Sequence, residues 1–118
     1  MRRLLLVDDH ALFRQGLALF LEWRTGLGCI QSGSLAEARR TLSDMKDKPA
    51  CVIVDLELPD GNGVELIEQL RELPVLALVS SRSPERRIQA LEAGVDEVLP
   101  RAESAEKIVE TVTRLVDE

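Results

Sequence analysis

Cys51-Val52-Ile53-Val54-Asp55-Leu56-Glu57-Leu58-Pro59-Asp60-Gly61-Asn62-Gly63 is the stretch whose reading decides the fold. Four apolar residues, three of them β-branched, run straight into an acid. Such a run is the pattern of a central parallel strand, buried on both faces. Pro59 has no N–H for a ladder, so an interior strand ends before it. Asp60-Gly61-Asn62-Gly63 reads as a loop. Asp55 then sits at the carboxyl end of a core strand, where open α/β sheets place their ligand sites. Alone, an acid at a strand end equally well serves to solvate that end.

Working outward, Leu4-Leu5-Leu6-Val7 is a second apolar run, and it ends in Asp8-Asp9. A helical pattern follows, with Phe13, Gly16, Leu17, Phe20 and Leu21 on one face and Asp9 as a candidate cap. Gly26-Leu27-Gly28 ends it, and Cys29-Ile30-Gln31 reads as a short strand. Ser34 and Glu37 form a capping box for a second helix that buries Leu35, Ala38, Leu42 and Met45 before Lys48-Pro49. Asn62 to Glu65 has the same cap spacing and opens a third helix with Leu66, Ile67 and Leu70 inward. Val75 to Val79 is a fourth strand ending at Ser80-Ser81. Ser83-Pro84-Glu85 starts a fourth helix, with Ile88, Ala90 and Leu91 inward. Val95 to Leu99 is a weaker strand, interrupted by Asp96-Glu97. A last helix spans roughly residues 103 to 116 and carries Ile108, Val112 and Leu115. Strict β-α alternation implies a parallel sheet with right-handed crossovers and helices on both faces.

The chain has 118 residues, 45% of them hydrophobic and 31% charged, which is one globular domain over 1–118. With one Trp, two Phe and no Tyr, the core falls to Leu, Val, Ile and Ala. A formal net charge of −6 argues against direct contact with a nucleic-acid backbone. Arg82, Arg86 and Arg87 read as a solvated helix face. Cys29 and Cys51 have no metal or disulfide spacing and read as small buried hydrophobes. No leader pattern opens the chain and no apolar run reaches membrane length, so a reduced cytoplasmic compartment without membrane contact is expected.

The carboxyl edge of such a sheet collects Asp8, Asp9, Asp55, Ser80, Ser81 and Arg101. Carboxylates this close cannot all ionise cheaply without a cation. Hard oxygen ligands suit Mg²⁺, which binds through one or two carboxylates plus a phosphate. A hydroxyl and a guanidinium can hold the remaining phosphate oxygens, and an aspartate can itself accept a phosphoryl group.

With these residues in register, the chain resembles the receiver domain of bacterial two-component response regulators along its whole length. The stretch Val7-Asp8-Asp9-His10-Ala11-Leu12-Phe13-Arg14-Gln15-Gly16-Leu17 looks most like the NarL/LuxR-type subfamily. The resemblance implies a flavodoxin-like doubly wound (βα)5 fold, strand order 2-1-3-4-5. It implies that Asp55 accepts a phosphoryl group from a sensor histidine kinase. Asp8, Asp9, Asp55 and the Glu57 carbonyl would hold Mg²⁺, and Ser80 and Arg101 would contact the phosphoryl group. It implies a switching face of fourth helix, fifth strand and fifth helix, through which a homodimer forms. DNA would be reached through an output domain outside this chain. Such a switch is not an enzyme beyond its own phosphoryl transfer and dephosphorylation.

Departures from the family give further expectations. Arg101 stands where the family has lysine, Val98 where it usually has an aromatic, and Ala102 where many members have proline. Arg101 can face a phosphate, but its bulkier fork is expected to crowd Ser80. A stiff Val98 is expected to transmit the signal weakly. Glu57 and Arg82 are expected to pair across the mouth of the site. His10 is expected to lie at the surface without a catalytic partner. A phosphorylation-independent interaction module is the main alternative. A Mg²⁺-dependent phosphatase lacks a segment for a substrate cap, and a flavin carrier lacks a phosphate cradle and stacking aromatics.

Overall fold

The computed structural model describes residues 2–79 and 84–117. In chain order the elements are β1 (Arg3–Val7), α1 (Ala11–Thr25), β2 (Gly28–Ser32), α2 (Leu35–Asp44), β3 (Cys51–Asp55), β4 (Glu57–Leu58), β5 (Gly61–Asn62), α3 (Val64–Gln69), β6 (Val75–Val79), α4 (Pro84–Glu92), β7 (Glu97–Pro100) and α5 (Ala105–Asp117). The apolar runs become β1, β3 and β6, the three central strands. The main sheet runs β2-β1-β3-β6-β7, all parallel. Counting its five strands alone, this is the expected order 2-1-3-4-5.

Side chains alternate across the sheet with period two, so each run supplies two cores. Leu5, Val7, Val52, Val54, Val75, Ala77 and Val79 pack under α2, α3 and α4. Leu4, Leu6, Cys51, Ile53, Leu76, Leu78 and Leu99 pack under α1 and α5. The register makes this coherent: Leu5 pairs with Val52 and Leu6 with Ile53, so like faces neighbour like faces. Each fully buried Leu or Ile contributes about 1.5–3 kcal/mol. No helix among the described residues is long and apolar enough to cross a membrane.

Several expectations are corrected. The loop after β3 contains a small antiparallel ribbon, β4 with β5, joined at Pro59-Asp60. Gly61 supplies its positive φ of 151°. Asp9 does not cap α1; its N-cap is His10, without a side-chain bond. Gly16 is exposed and Ala18 is buried, because α1 is apolar nearly all round and turns toward Leu17, Ala18 and Leu21. Leu12, Leu19 and Trp23 therefore face solvent. Helix α4 buries Ala90, whereas Ile88 and Leu91 are half exposed. At 3.6 residues per turn Ile88 and Ala90 lie about 160° apart, so both cannot face the sheet. The small Ala90 is the one that permits close approach. Asp96 does not interrupt a strand: its Oδ2 accepts from Val75 N at 2.8 Å and caps the start of β6. Arg86 is not wholly solvated, since its Nη1 donates to the Leu56 carbonyl. The Ser34 cap of α2 forms as expected, but Glu37 reaches Gly33 N. Asp60, from the ribbon turn, accepts from Leu35 N and Ala36 N as well.

Gly63 fixes the joint between β3 and α3. Its N–H donates to the Leu56 carbonyl. A Cβ there would lie 2.5 Å from the Asp55 carbonyl oxygen and 2.9 Å from Leu56 Cα, both backbone. Gly63→Ala should therefore cost about 1–3 kcal/mol in urea unfolding. Gly16→Ala, which meets nothing within 4 Å, should instead stabilise by up to about 1 kcal/mol. Equal effects of the two changes would contradict this account of the joint.

Candidate functional site

Two parallel neighbours create the site. Val7 of β1 is paired with Val54 of β3, so the residues that follow, Asp8 and Asp55, emerge side by side at the carboxyl edge. Both are fully buried. Asp8 Oδ1 accepts from His10 N at 2.8 Å, and the Asp8 carbonyl accepts from Arg14 Nη1 at 2.8 Å. Asp55 Oδ1 accepts from Glu57 N at 2.9 Å. Asp9 is exposed beside them. Ligand atoms of Asp8, Asp9, His10 and Asp55 all lie within 4.8 Å of one another, a spacing that can hold a metal ion.

Arg101 enters this pocket from the end of β7. Its N–H donates to the Val79 carbonyl, which extends the ladder by one residue and aims the side chain inward. Nη2 donates to Asp8 Oδ1 at 2.7 Å and Nη1 to Asp55 Oδ2 at 3.1 Å. The guanidinium lies over the Phe13 ring, 4.4 Å from its centroid, a contact that favours a planar cation. Arg101 Nη1 is also 2.6 Å from His10 Nδ1. Because the guanidinium has no acceptor, the imidazole accepts there. His10 lies at the surface as expected, but its Nδ1 is not isolated: it touches Arg101 and lies 3.0 Å from Asp9 Oδ1.

One atom is left over. Asp8 Oδ2 is buried without a hydrogen-bond partner among the described residues. A buried carboxylate oxygen without a donor is costly, and a cation is the partner that suits it. Asp55 shows the same tension. Burial pushes its carboxyl up to about 6, against the Glu57 N–H and Arg101, which pull it down; Asp8 and Asp9 push it further up. Glu57 itself is exposed, and its side chain lies outside the cluster. Ser80, Arg82 and the candidate cap Ser83 lie outside the described residues, so the expected Ser80 crowding and Glu57–Arg82 pair do too. Phe13, as the platform under Arg101, and Arg14, as the clamp on Asp8, were not singled out from sequence. Their spacing to Arg101 along the chain carries no signal.

A doubly wound parallel sheet with an acidic pocket at its carboxyl edge defines the class: a flavodoxin-like α/β domain with a cation-seeking site. Within that class, the chain belongs to the response regulator receiver domain family, whose model matches residues 4–113. It is 38% identical over 118 residues to the transcriptional activator protein ExaE of Pseudomonas putida, covering 96% of this chain and 54% of that protein. It is 35% identical over 104 residues to the KDP operon transcriptional regulatory protein KdpE of Escherichia coli, covering 86% and 45%. The chain thus spans about half the length of the curated relatives it matches. A solved response regulator from Burkholderia pseudomallei, with a phosphorylated aspartic acid, calcium ion and citrate, superposes with a TM-score of 0.84. It shares 26% identity, covering 99% of this chain and 69% of that one.

The sign of the pH dependence follows from Asp55. Its pKa is raised on folding, to about 6, so the folded state holds the proton more tightly. The resulting stability is complete below the unfolded value near 4 and is lost as pH rises through about 6. In metal-free buffer, stability should fall by about 1–3 kcal/mol between pH 5 and pH 7.5. Asp55→Asn should flatten that slope and be the more stable protein at pH 7.5. A wild-type profile that rises across this window would contradict the assignment.

Proposed function

We propose that Asp55 is the phosphoacceptor of a two-component signalling switch. The observation that carries this reading is the fully buried Asp55 carboxylate at the end of the central strand, within ligating distance of Asp8 and Asp9. In this reading an Asp55 carboxylate oxygen attacks the phosphorus of a phosphohistidine on a sensor kinase. The N–P bond breaks, its electron pair stays on the imidazole nitrogen, and an acyl phosphate forms on Asp55. Asp8, Asp9, Asp55 and the Glu57 carbonyl hold Mg²⁺, for which the unpartnered Asp8 Oδ2 is a fitting donor. When bound, the ion supplies neutralisation of the charge gathered between carboxylates and phosphoryl oxygens. Ser80 donates to the phosphoryl group and Arg101 faces it. Dephosphorylation is hydrolysis of that acyl phosphate, in which water takes the phosphoryl group away as inorganic phosphate and the Asp55 carboxylate returns; 1–118 acts as one domain.

The switching face comprises α4, β7 and α5. The half-exposed Ile88 and Leu91 support a self-associating surface there, while Val98 is buried in β7 and has no room to swing. The relatives are named as transcriptional regulators, which supports an output through DNA by a domain outside this chain, in the cytoplasm. The NarL/LuxR-type reading rests on the stretch from Val7 to Leu17; the relatives do not single it out. A second reading, an interaction module that works without phosphate, is favoured by Arg101 already bridging Asp8 and Asp55.

Intact mass after incubation with Mg²⁺ and acetyl phosphate separates the two. One phosphoryl group per chain, absent in Asp55→Asn, is expected. No adduct in the wild type would favour the second reading. Separately, millimolar Mg²⁺ should raise the melting temperature, since it binds the folded state alone, and Asp9→Ala should remove most of that gain. An unchanged wild-type melting temperature would count against the metal site.

A further inference from the structure

We propose that Arg101 is a resident counter-cation of the acidic pocket that must withdraw before a divalent ion can enter. This rests on the metal-binding reading of Asp8, Asp9 and Asp55. The geometry carries it. One guanidinium bridges the two buried carboxylates, with Nη2 on Asp8 Oδ1 at 2.7 Å and Nη1 on Asp55 Oδ2 at 3.1 Å. These are two of the oxygens that a metal would need. Two cations cannot share them without strong like-charge repulsion in a buried site. The pose is held from outside the acidic cluster as well. Phe13 stacks on the guanidinium face, and the Arg101 N–H is fixed to Val79. The side chain is 12% exposed, so it is packed as part of the fold.

The arrangement leaves the pocket underfilled. The planar fork satisfies one oxygen of each carboxylate, and Asp8 Oδ2 stays unpartnered. A divalent ion reaches what the fork does not, so the two occupants are alternatives and not additions. A lysine ammonium, a point charge on a flexible stem, can move aside at less cost than a stacked, bidentate fork. Arg101 thereby sets the concentration at which the ion competes: the apparent dissociation constant is the intrinsic one divided by the fraction of molecules with Arg101 withdrawn. Phe13, on which the guanidinium stacks, also lines a groove of about 280 Å³ between α1 and the start of α5. Glu103 borders that groove and offers a carboxylate for the displaced charge.

The test is Mg²⁺ titration of the intact chain, followed by calorimetry and by the Arg101 Nε–H signal in NMR. In the wild type without metal, that signal should be sharp and shifted. It should change with the same midpoint as heat release. Arg101→Gln should bind Mg²⁺ at least about tenfold more tightly, as expected if about nine molecules in ten or more hold Arg101 in the pocket. Phe13→Leu keeps every charge and every candidate ligand, yet should tighten binding severalfold by loosening the stacked pose; this variant separates displacement from simple charge removal. An Arg101 signal that is unmoved at saturating Mg²⁺, or equal affinity in wild type and Phe13→Leu, would overturn the proposal while leaving the metal site standing. No Mg²⁺ binding by the wild type or either variant would overturn both.

Discussion

The repulsion between Asp8 and Asp55 is the constraint on which the rest of the site depends. Parallel pairing of Val7 with Val54 leaves no choice: the next residue on each strand is an acid, and both are fully buried. The sheet is anchored by apolar runs whose burial is worth far more than the penalty at one edge. The fold therefore forces two carboxylates together, and chemistry at the edge must answer for it. Backbone N–H groups of His10 and Glu57 answer in part. Arg101 answers for most of the remainder, and one oxygen is left without a partner.

This tension links stability to function. A site that is comfortable without a cation would have no reason to bind one, and a carboxylate with every lone pair satisfied would be a poor acceptor of a phosphoryl group. Here the nucleophile candidate carries a raised pKa and an oxygen held by a displaceable guanidinium. The supporting scaffold is stiff where it must be. Gly63 packs directly on the Asp55 backbone, and Arg14 clamps the Asp8 carbonyl. Phe13 stacks on Arg101 and, with Phe20 from α1 and Ile108 from α5, lines a neighbouring groove.

The sheet was legible in the sequence because its runs are unambiguous. Leu4 to Val7, Val52 to Val54 and Val75 to Val79 can be little else than strands buried on both faces, and the acids after the first two locate the carboxyl edge. Helix faces were harder. In α1 nearly every direction is apolar, so periodicity could not tell Gly16 from Ala18. In α4 no single face can hold both Ile88 and Ala90, and the choice was made by packing distance. The pocket's acids were found from their positions on strands, which the topology converts directly into proximity. The inward pose of Arg101 was not, because it depends on the Phe13 ring and the Val79 carbonyl, two contacts that reach across the fold. Asp60 as a cap for α2 was hidden for the same reason.

The central claim is that Arg101 exists in this fold to offset the enforced pair of carboxylates. A double-mutant cycle in metal-free buffer near pH 7.5 tests it, with urea unfolding of the wild type, Arg101→Gln, Asp55→Asn and the double variant. Removing Arg101 should destabilise the wild type by about 3 kcal/mol or more, since it leaves two buried charges uncompensated. The same change in the Asp55→Asn background should cost much less, giving a coupling of about 1–3 kcal/mol. Additive effects within about 0.5 kcal/mol would contradict the account.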